Sequence, residues 1–300
     1  MSAEPMALFC ADLHLSTRRP EWRGEEDYAA VCRRKLERIM SLAIGHGIPV
    51  FIAGDVFDRP RDLDALDLYL NVPKPEKGVY AVKGQHDMVC HNEKEKSAFD
   101  IAVSAGHLSA LNLHRLDSTV LVRGCGWGQK IPGPPFGGAD DILVIHRTYW
   151  MGEPVVPGQT EGNAETAFKT ELKDFDLVFS GDNHIPFTLS DGRRLMYNCG
   201  AICRRNIEQR KWHPSVYILY DDLTVAPFPL ETDGGVWLTA QQEERKRHAD
   251  AGAAFVDKLA GGGWKAQDSY RDILKAEGNA RLGTPEGDML LELATVEKKP

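Results

Sequence analysis

The sequence predicts an α/β fold with mixed sheets, and three observations predict it. Apolar runs short enough for strands alternate with amphipathic stretches, several of those runs stop abruptly at polar residues, and an Asp-Gly pair separates two late apolar runs. Alternation of strands with helices favours parallel pairing, and the Asp-Gly turn adds antiparallel strands.

The first strand spans Ala7–Ala11 and runs into Asp12-Leu13-His14. Tyr28, Val31, Cys32, Leu36, Ile39, Met40 and Ala43 then recur at helical spacing, closed by Gly45 and Gly47. A second strand, Ile48–Ala53, stops at Gly54-Asp55. A short helix over 61–71 leads to a third strand, Gly78–Val82, which stops at Gly84-Gln85-His86-Asp87. Asn92 suits the N-cap of the helix before Gly106. Strands follow at Thr119–Arg123 and Asp141–Ile145, the latter ending at His146, and at Phe175–Phe179, ending at Gly181-Asp182-Asn183-His184. Phe187–Leu189 and Leu195–Tyr197 flank the Asp191-Gly192 turn, and Val216–Tyr220 adds a last strand. Beyond residue 230 the pattern becomes a charged helix, Thr239–Leu259, then Gly261-Gly262-Gly263 and a second short helix near 267–276: a small helical C-terminal appendage.

With 300 residues, 42% of them hydrophobic and 27% charged, the chain can build a large domain of residues 1–230 and this appendage of 231–300. No apolar run reaches the roughly 18 residues of a membrane span. The first residues lack a basic region followed by an apolar one, so no secretory leader is expected. Six scattered cysteines read as reduced thiols of a cytoplasmic protein. The net charge of −8 argues against a passive nucleic-acid coat, but leaves open a nuclease whose positive field comes from bound divalent ions.

The chemistry gathers at strand ends, where open α/β sheets place their sites. Asp12 and His14 are two apart, so on extended backbone they share a face, and together they suit Mn²⁺, Fe or Zn²⁺. Asp55 follows a glycine that permits a sharp turn. One carboxylate there can bridge two cations about 3.5–4 Å apart, a spacing that clamps both oxygens of an in-line phosphoryl displacement. Each block alone is common, but their order along the chain is specific.

In that order, Asp-x-His, Gly-Asp-x-x-Asp, Gly-Gln-His-Asp, a single His and Gly-Asp-Asn-His resemble the calcineurin-like metallophosphoesterases over residues 6–225. AGDVFDRP and Gly-Gln-His-Asp are most similar to the SbcD-type exonucleases of double-strand-break repair, and Asn198–Arg205 resembles that group's Asn-Pro-Gly-Ser stretch before an Arg. The resemblance implies a four-layer α/β/β/α sandwich of two mixed sheets flanked by helices. It implies one metal held by Asp12, His14, Asp55 and His184, and a second by Asp55, Gln85, His146 and Asp182. His86 would face the scissile phosphate as transition-state stabiliser or acid, Asp87 would orient it, and Asp58 would support the ligands from behind. A metal-activated water would attack a DNA phosphodiester.

Gln85 stands where most members have Asn, and Asp182 where most have His, departures similar to those of phage-type members. Both can offer an oxygen, which favours Mn²⁺, then Mg²⁺, over Fe or Zn²⁺ at the second position. Arg18, Arg19, Arg204 and Arg205 are candidate phosphate contacts, with Arg23 beside the first pair. Arg33, Arg34, Lys35 and Arg38 read as a solvated helix face. Trp127 and Trp150 read as loop packing, with base stacking the alternative. Expected partners are DNA and, by resemblance, an SbcC-like ATPase or a second copy of the chain. Two rival readings remain: a small-diester or cyclic-nucleotide phosphodiesterase, and a DNA-end-binding scaffold whose second metal position is lost.

Overall fold

A computed structural model of the chain describes residues 3–91, 95–133, 140–152, 162–230, 237 and 284. The chain divides into two compact units, Met1–Trp237 and Leu238–Pro300. The appendage helices expected at Thr239–Leu259 and near 267–276, together with Asn92 and His248, lie outside the described residues.

Two six-stranded sheets form the centre of the first unit. The first is built from β1 (Pro5–Cys10), β2 (Val50–Ile52), β3 (Val79–Ala81) and β4 (Ser109–Ala110), all parallel, with β11 (Ser215–Tyr220) antiparallel to β1 and β12 (Val225–Pro229) antiparallel to β11 at that edge. In the second, β6 (Val120–Cys125), β7 (Asp140–His146), β8 (Leu177–Gly181) and β10 (Leu195–Asn198) run parallel. There β5 (Leu113–Arg115) and β9 (Phe187–Ser190) are the antiparallel edges. Both sheets are mixed, as the sequence predicts.

Successive side chains of a strand point to opposite faces, and β1 shows how this builds layers. Leu8 and Cys10 enter a core shared with α1 (Tyr28–His46), α2 (Leu63–Leu70) and α3 (Ala98–Ser104). Ala7, Phe9 and Ala11 enter the core between the sheets. There the Phe9 ring stacks on Phe179 at 3.9 Å and on Phe51 at 5.1 Å between centroids. A third core, around Leu143, Ile145, Phe168 and Phe175, seals the outer face of the second sheet under α4 (Ala164–Lys169). Helices on each outer face of two packed sheets make the four-layer sandwich.

Several expectations change here. The α3 helix starts from Ser97, whose hydroxyl accepts from Asp100 N while the Asp100 carboxylate accepts from Ser97 N, a reciprocal cap. Lys35 does not belong to a solvated face. It is buried and donates to Ile202 O at 2.8 Å, tying α1 to the 199–205 segment. Arg23 is also buried, its guanidinium on the Glu25 carboxylate and on Arg204 O and 5.0 Å from the Trp237 ring. It is a structural cation, held by charge-assisted bonds that a buried guanidinium requires. Among the described residues no helix is long and apolar enough to cross a membrane.

Candidate metal centre

The carboxyl ends of β1, β2 and β3 in one sheet and of β7 and β8 in the other open toward the same place. Asp12 and His14 follow β1, Asp55 follows β2, Gln85 and His86 follow β3, His146 ends β7, and Asp182 and His184 follow β8. The backbone bonds Asp12 N–Gly54 O and His14 N–Asp55 O carry the parallel pairing of β1 and β2 past the strands and set the first two loops side by side.

Four of these residues adopt positive φ: Asp12 at 49°, His14 at 42°, Asp55 at 48° and Asp182 at 84°. Left-handed backbone costs a non-glycine residue about 1–3 kcal/mol and persists where the surroundings enforce it, often at functional sites. Asp12 and His14 therefore meet through left-handed turns and not through the strand alternation expected of them. Gly54 (φ 83°) is required, because a Cβ there would lie 2.1 Å from His146 Nδ1. A Cβ on Gly84 would lie 2.0 Å from Asp55 Oδ1.

Three overlapping ligand groups result, each with donor atoms within 4.8 Å of one another: Asp12–His14–His184, His14–Asp55–His86, and Asp12–Asp55–His146. His14 Nε2 and His184 Nε2 are 2.9 Å apart. Asp55 lies between the two halves. Its Oδ1 accepts from His86 N, whereas its Oδ2 is fully buried with no hydrogen-bond partner, 3.6 Å from His14 Nε2 and 3.4 Å from His146 Nε2. An orphaned buried carboxylate oxygen costs free energy unless something satisfies it, and a divalent ion held by Asp55 with His14 or His146 would supply that partner. The donor set fits divalent metals.

On the second side, His146 Nε2 lies 2.7 Å from Gln85 Oε1 and 3.8 Å from Asp182 Oδ1, while Gln85 Nε2 donates to Asp182 Oδ1. His146 Nδ1 donates to Ala53 O at 2.7 Å, which aims Nε2 at the site. Thr148 Oγ1 donates to the other Asp182 oxygen. Asp182 N donates to both Asp12 oxygens.

Crowded buried charges respond to one another. Burial pushes Asp12 well above the usual carboxylate range, with Asp55 and Asp182 adding to it and His146 opposing. Burial also disfavours ionised Asp55, but His146 and His14 outweigh it and hold that carboxyl low. His146 is desolvated too, yet Asp55, Asp12 and Asp182 push it up to about 10. Burial and Arg205 bring His184 down to about 4 and His14 well below its ordinary value.

Supporting residues hold these side chains. Asp58 Oδ1 is 3.4 Å from His14 Nδ1 and 2.6 Å from Arg205 Nη1, so it stands behind the His14 ring. Gln209 donates to His184 Nδ1. Asn198, buried, donates to the carbonyls of Asn183 and Ile185 and so fixes the turn carrying His184. Sequence reasoning missed Gln209 and Thr148. Thr148 stands two residues past His146, a spacing that could have flagged it.

His86 is half-exposed at the mouth of the cluster, its Nδ1 bound to Asp58 O at 2.8 Å. The role expected of Asp87 is corrected. Its carboxylate is buried and accepts from Val56 N, Phe57 N and Gly84 N, knitting the Gly54 and Gly84 loops together. Burial and Asp55 push it up to about 7. Asp58 takes the orienting task.

The basic candidates separate. Arg205 reaches the cluster, its Nη1 also 3.0 Å from His14 Nδ1. Arg204 is buried and donates to Arg210 O, so it packs the fold instead of meeting a phosphate. Arg19 turns back onto Glu25 O, and Arg18 is exposed. Trp150 is buried, and Trp127 is half-buried against His91.

No family model and no curated protein matches this chain. Solved structures do. An archaeal phosphodiesterase is similar over 75% of this chain and 99% of its own, with 12% identity and a TM-score of 0.41. The phosphopantetheinyl hydrolase of Mycobacterium tuberculosis is similar over 71% and 95%, with 14% identity and a TM-score of 0.41. Vacuolar protein sorting 29 of Cryptosporidium parvum is similar over 77% and 100%, with 16% identity and a TM-score of 0.36. Likeness at such distances leaves the chemistry to be read from the residues of the site itself.

Proposed function

We propose that the chain is a metal-dependent phosphodiesterase of the calcineurin-like kind, using two divalent ions, with Mn²⁺ the preferred metal. The observation that carries this reading is Asp55 Oδ2, buried and orphaned between His14 and His146, each of which stands in a separate ligand group. Asp12, His14, Asp55 and His184 would hold one ion, and Asp55, Gln85, His146 and Asp182 the other. Cations there would offset the charge of the phosphoryl oxygens and activate water for attack.

The chain's own groups do the rest. With Nδ1 engaged by Asp58 O, His86 has only Nε2 left to give a proton to a leaving oxygen. Arg205, beside His14 and Asp58, adds a positive charge that draws a phosphate toward the cluster. The Ala53 carbonyl and Gln209 keep His146 and His184 turned inward.

DNA is the proposed substrate, in a repair or recombination role, supported by the resemblance of the Gly-Asp-Val-Phe-Asp and Gly-Gln-His-Asp blocks to SbcD-type exonucleases. A second reading, a small-diester phosphodiesterase, draws support from Arg23 and Arg204, whose burial removes two cations from any track along a DNA backbone. A nuclease assay with defined single- and double-stranded ends, beside bis-p-nitrophenyl phosphate, decides between them. Each would be run with Mn²⁺, with Mg²⁺ and without metal, with metal counted on the same preparation. Cleavage of DNA supports the first reading and turnover of the small diester alone the second. Two bound ions without hydrolysis of either would overturn both.

A further inference from the structure

Beside the second ligand group a cavity of about 710 Å³ opens, with His146 on its wall. Its volume suits a group the size of a nucleoside. On one side stand Trp127 and Gly128; on the other stand Asn163, Thr166 and Thr170 around α4. Trp127 is held in place, its backbone N–H on Lys83 O at 2.8 Å and its ring edge-to-face with His91 at 4.9 Å. The adjoining turn is braced by Gly126 N donating to the Gln129 side chain.

The charges on the cavity wall are used up within it. Arg147 pairs with Glu171 at 2.9 Å and donates to Gln129 O, and Tyr149 OH donates to the other Glu171 oxygen. A wall with one preset ring, several hydroxyls and internally neutralised charge does not suit a second phosphate. It suits an uncharged, ring-bearing group attached to the phosphate that the His146 side receives.

We infer that this groove binds the nucleoside arm of the substrate, with Trp127 stacking on its base. The inference deepens the phosphodiesterase reading and rests on it for the position of the phosphate. Trp127 determines specificity and takes no part in the bond-breaking step. Stacking of one base on an aromatic side chain favours binding by roughly tenfold or more, and that is the effect the groove adds.

The test is equilibrium binding by calorimetry to the full chain in excess Mn²⁺, with adenosine 5′-monophosphate and ribose 5-phosphate as probes. They share the ribose 5-phosphate unit and differ at C1, which carries adenine in one and a hydroxyl in the other. Wild type is expected to bind the nucleotide about tenfold more tightly. Trp127→Ala should abolish that preference, and Trp127→Phe should keep part of it. Thr166→Arg, on an exposed position of α4, should block the groove and remove the preference without burdening the core, so it decides the matter if Trp127→Ala folds poorly. Equal affinities for both probes in wild type, or an unchanged preference in a folded Trp127→Ala or in Thr166→Arg, overturns the inference. Hydrolysis of bis-p-nitrophenyl phosphate is read separately. Its absence would count against the phosphodiesterase reading while leaving the measured base preference to judge the groove.

Discussion

Gln85 Oε1 faces His146 Nε2 at 2.7 Å, and the orientation of both groups is constrained from behind. The Gln85 amide nitrogen donates to Asp182, which turns its oxygen toward the ring, and His146 Nδ1 donates to Ala53 O, which leaves Nε2 as the facing atom. A neutral ring so placed would oppose two lone pairs. The contact makes sense only with positive charge at that point, as a proton on the ring or as a cation bound by both atoms. In the metal-free chain the surrounding carboxylates supply the first solution, pushing His146 up to about 10.

That exchange is measurable. The folded value lies above the ordinary 6.5. The ring proton therefore stabilises the metal-free fold fully below pH 6.5, and its contribution is lost as pH rises through about 10. Between these limits a metal ion entering beside Gln85 must expel the proton, so loading tightens as pH rises. Calorimetric titration with Mn²⁺ at pH 8, in two buffers of different ionisation enthalpy, should show about one more proton released by wild type than by His146→Gln. Equal release from the two proteins would sink the assignment.

Asp182 tests the composition of the same half. It brings a carboxylate where an imidazole would make the position softer. Asp182→His should retain two ions and move preference from Mn²⁺ toward Zn²⁺, whereas Asp182→Ala should lower the count from two ions per chain to one. Metal analysis after dialysis against mixed ions reads both, and a count of two in Asp182→Ala would remove this residue from the ligand set.

His86 stands among the ligand atoms, yet half-exposed and with its Nδ1 already engaged by Asp58 O. It suits proton transfer better than ligation. His86→Ala should leave two ions bound and lower turnover of a diester by roughly 10²–10⁴-fold, the usual worth of a positioned acid. The loss should shrink for a diester whose leaving group needs no proton, such as p-nitrophenolate. A drop in metal content to match the lost activity would instead make His86 a ligand.

The strands and the cluster of polar residues at their ends were legible in the sequence because strand ends are local. Apolar runs stop where the chain leaves the core, and the polar residues after them, from Asp12 to His184, fall at one edge of parallel strands whatever the details of packing. The short edge strands Ser109–Ala110 and Leu113–Arg115 were not legible, because two or three residues carry no period. The functions of Arg23, Lys35, Arg204 and Asp87 were misread for a related reason. A charged residue in a local polar context looks solvated or catalytic, and only the folded chain shows that its partner is a backbone carbonyl or amide, far along the chain for Arg23, Lys35 and Asp87 and across a turn for Arg204. Gln209 was invisible on the same grounds, since its contact with His184 depends on where the 206–211 turn lands.

Fold and site should come apart under mutation at two positions. Phe9 is fully buried and sandwiched between Phe51 and Phe179 in the inter-sheet core, away from the ligands. Phe9→Ala should lower stability to urea by about 3–5 kcal/mol, the usual range for emptying an aromatic site, while the remaining folded protein binds metal normally. Gly84 contributes no packing of its own, but its Cα faces Asp55, and a methyl group there would lie 2.0 Å from Oδ1. Gly84→Ala should therefore displace the carboxylate that both proposed metal positions share. The expected result is a chain with wild-type far-UV circular dichroism and little or no bound metal, because Asp55 has a partner in each half and neither half keeps its full set without it. Normal loading of two ions by Gly84→Ala would show that Asp55 does not bridge them.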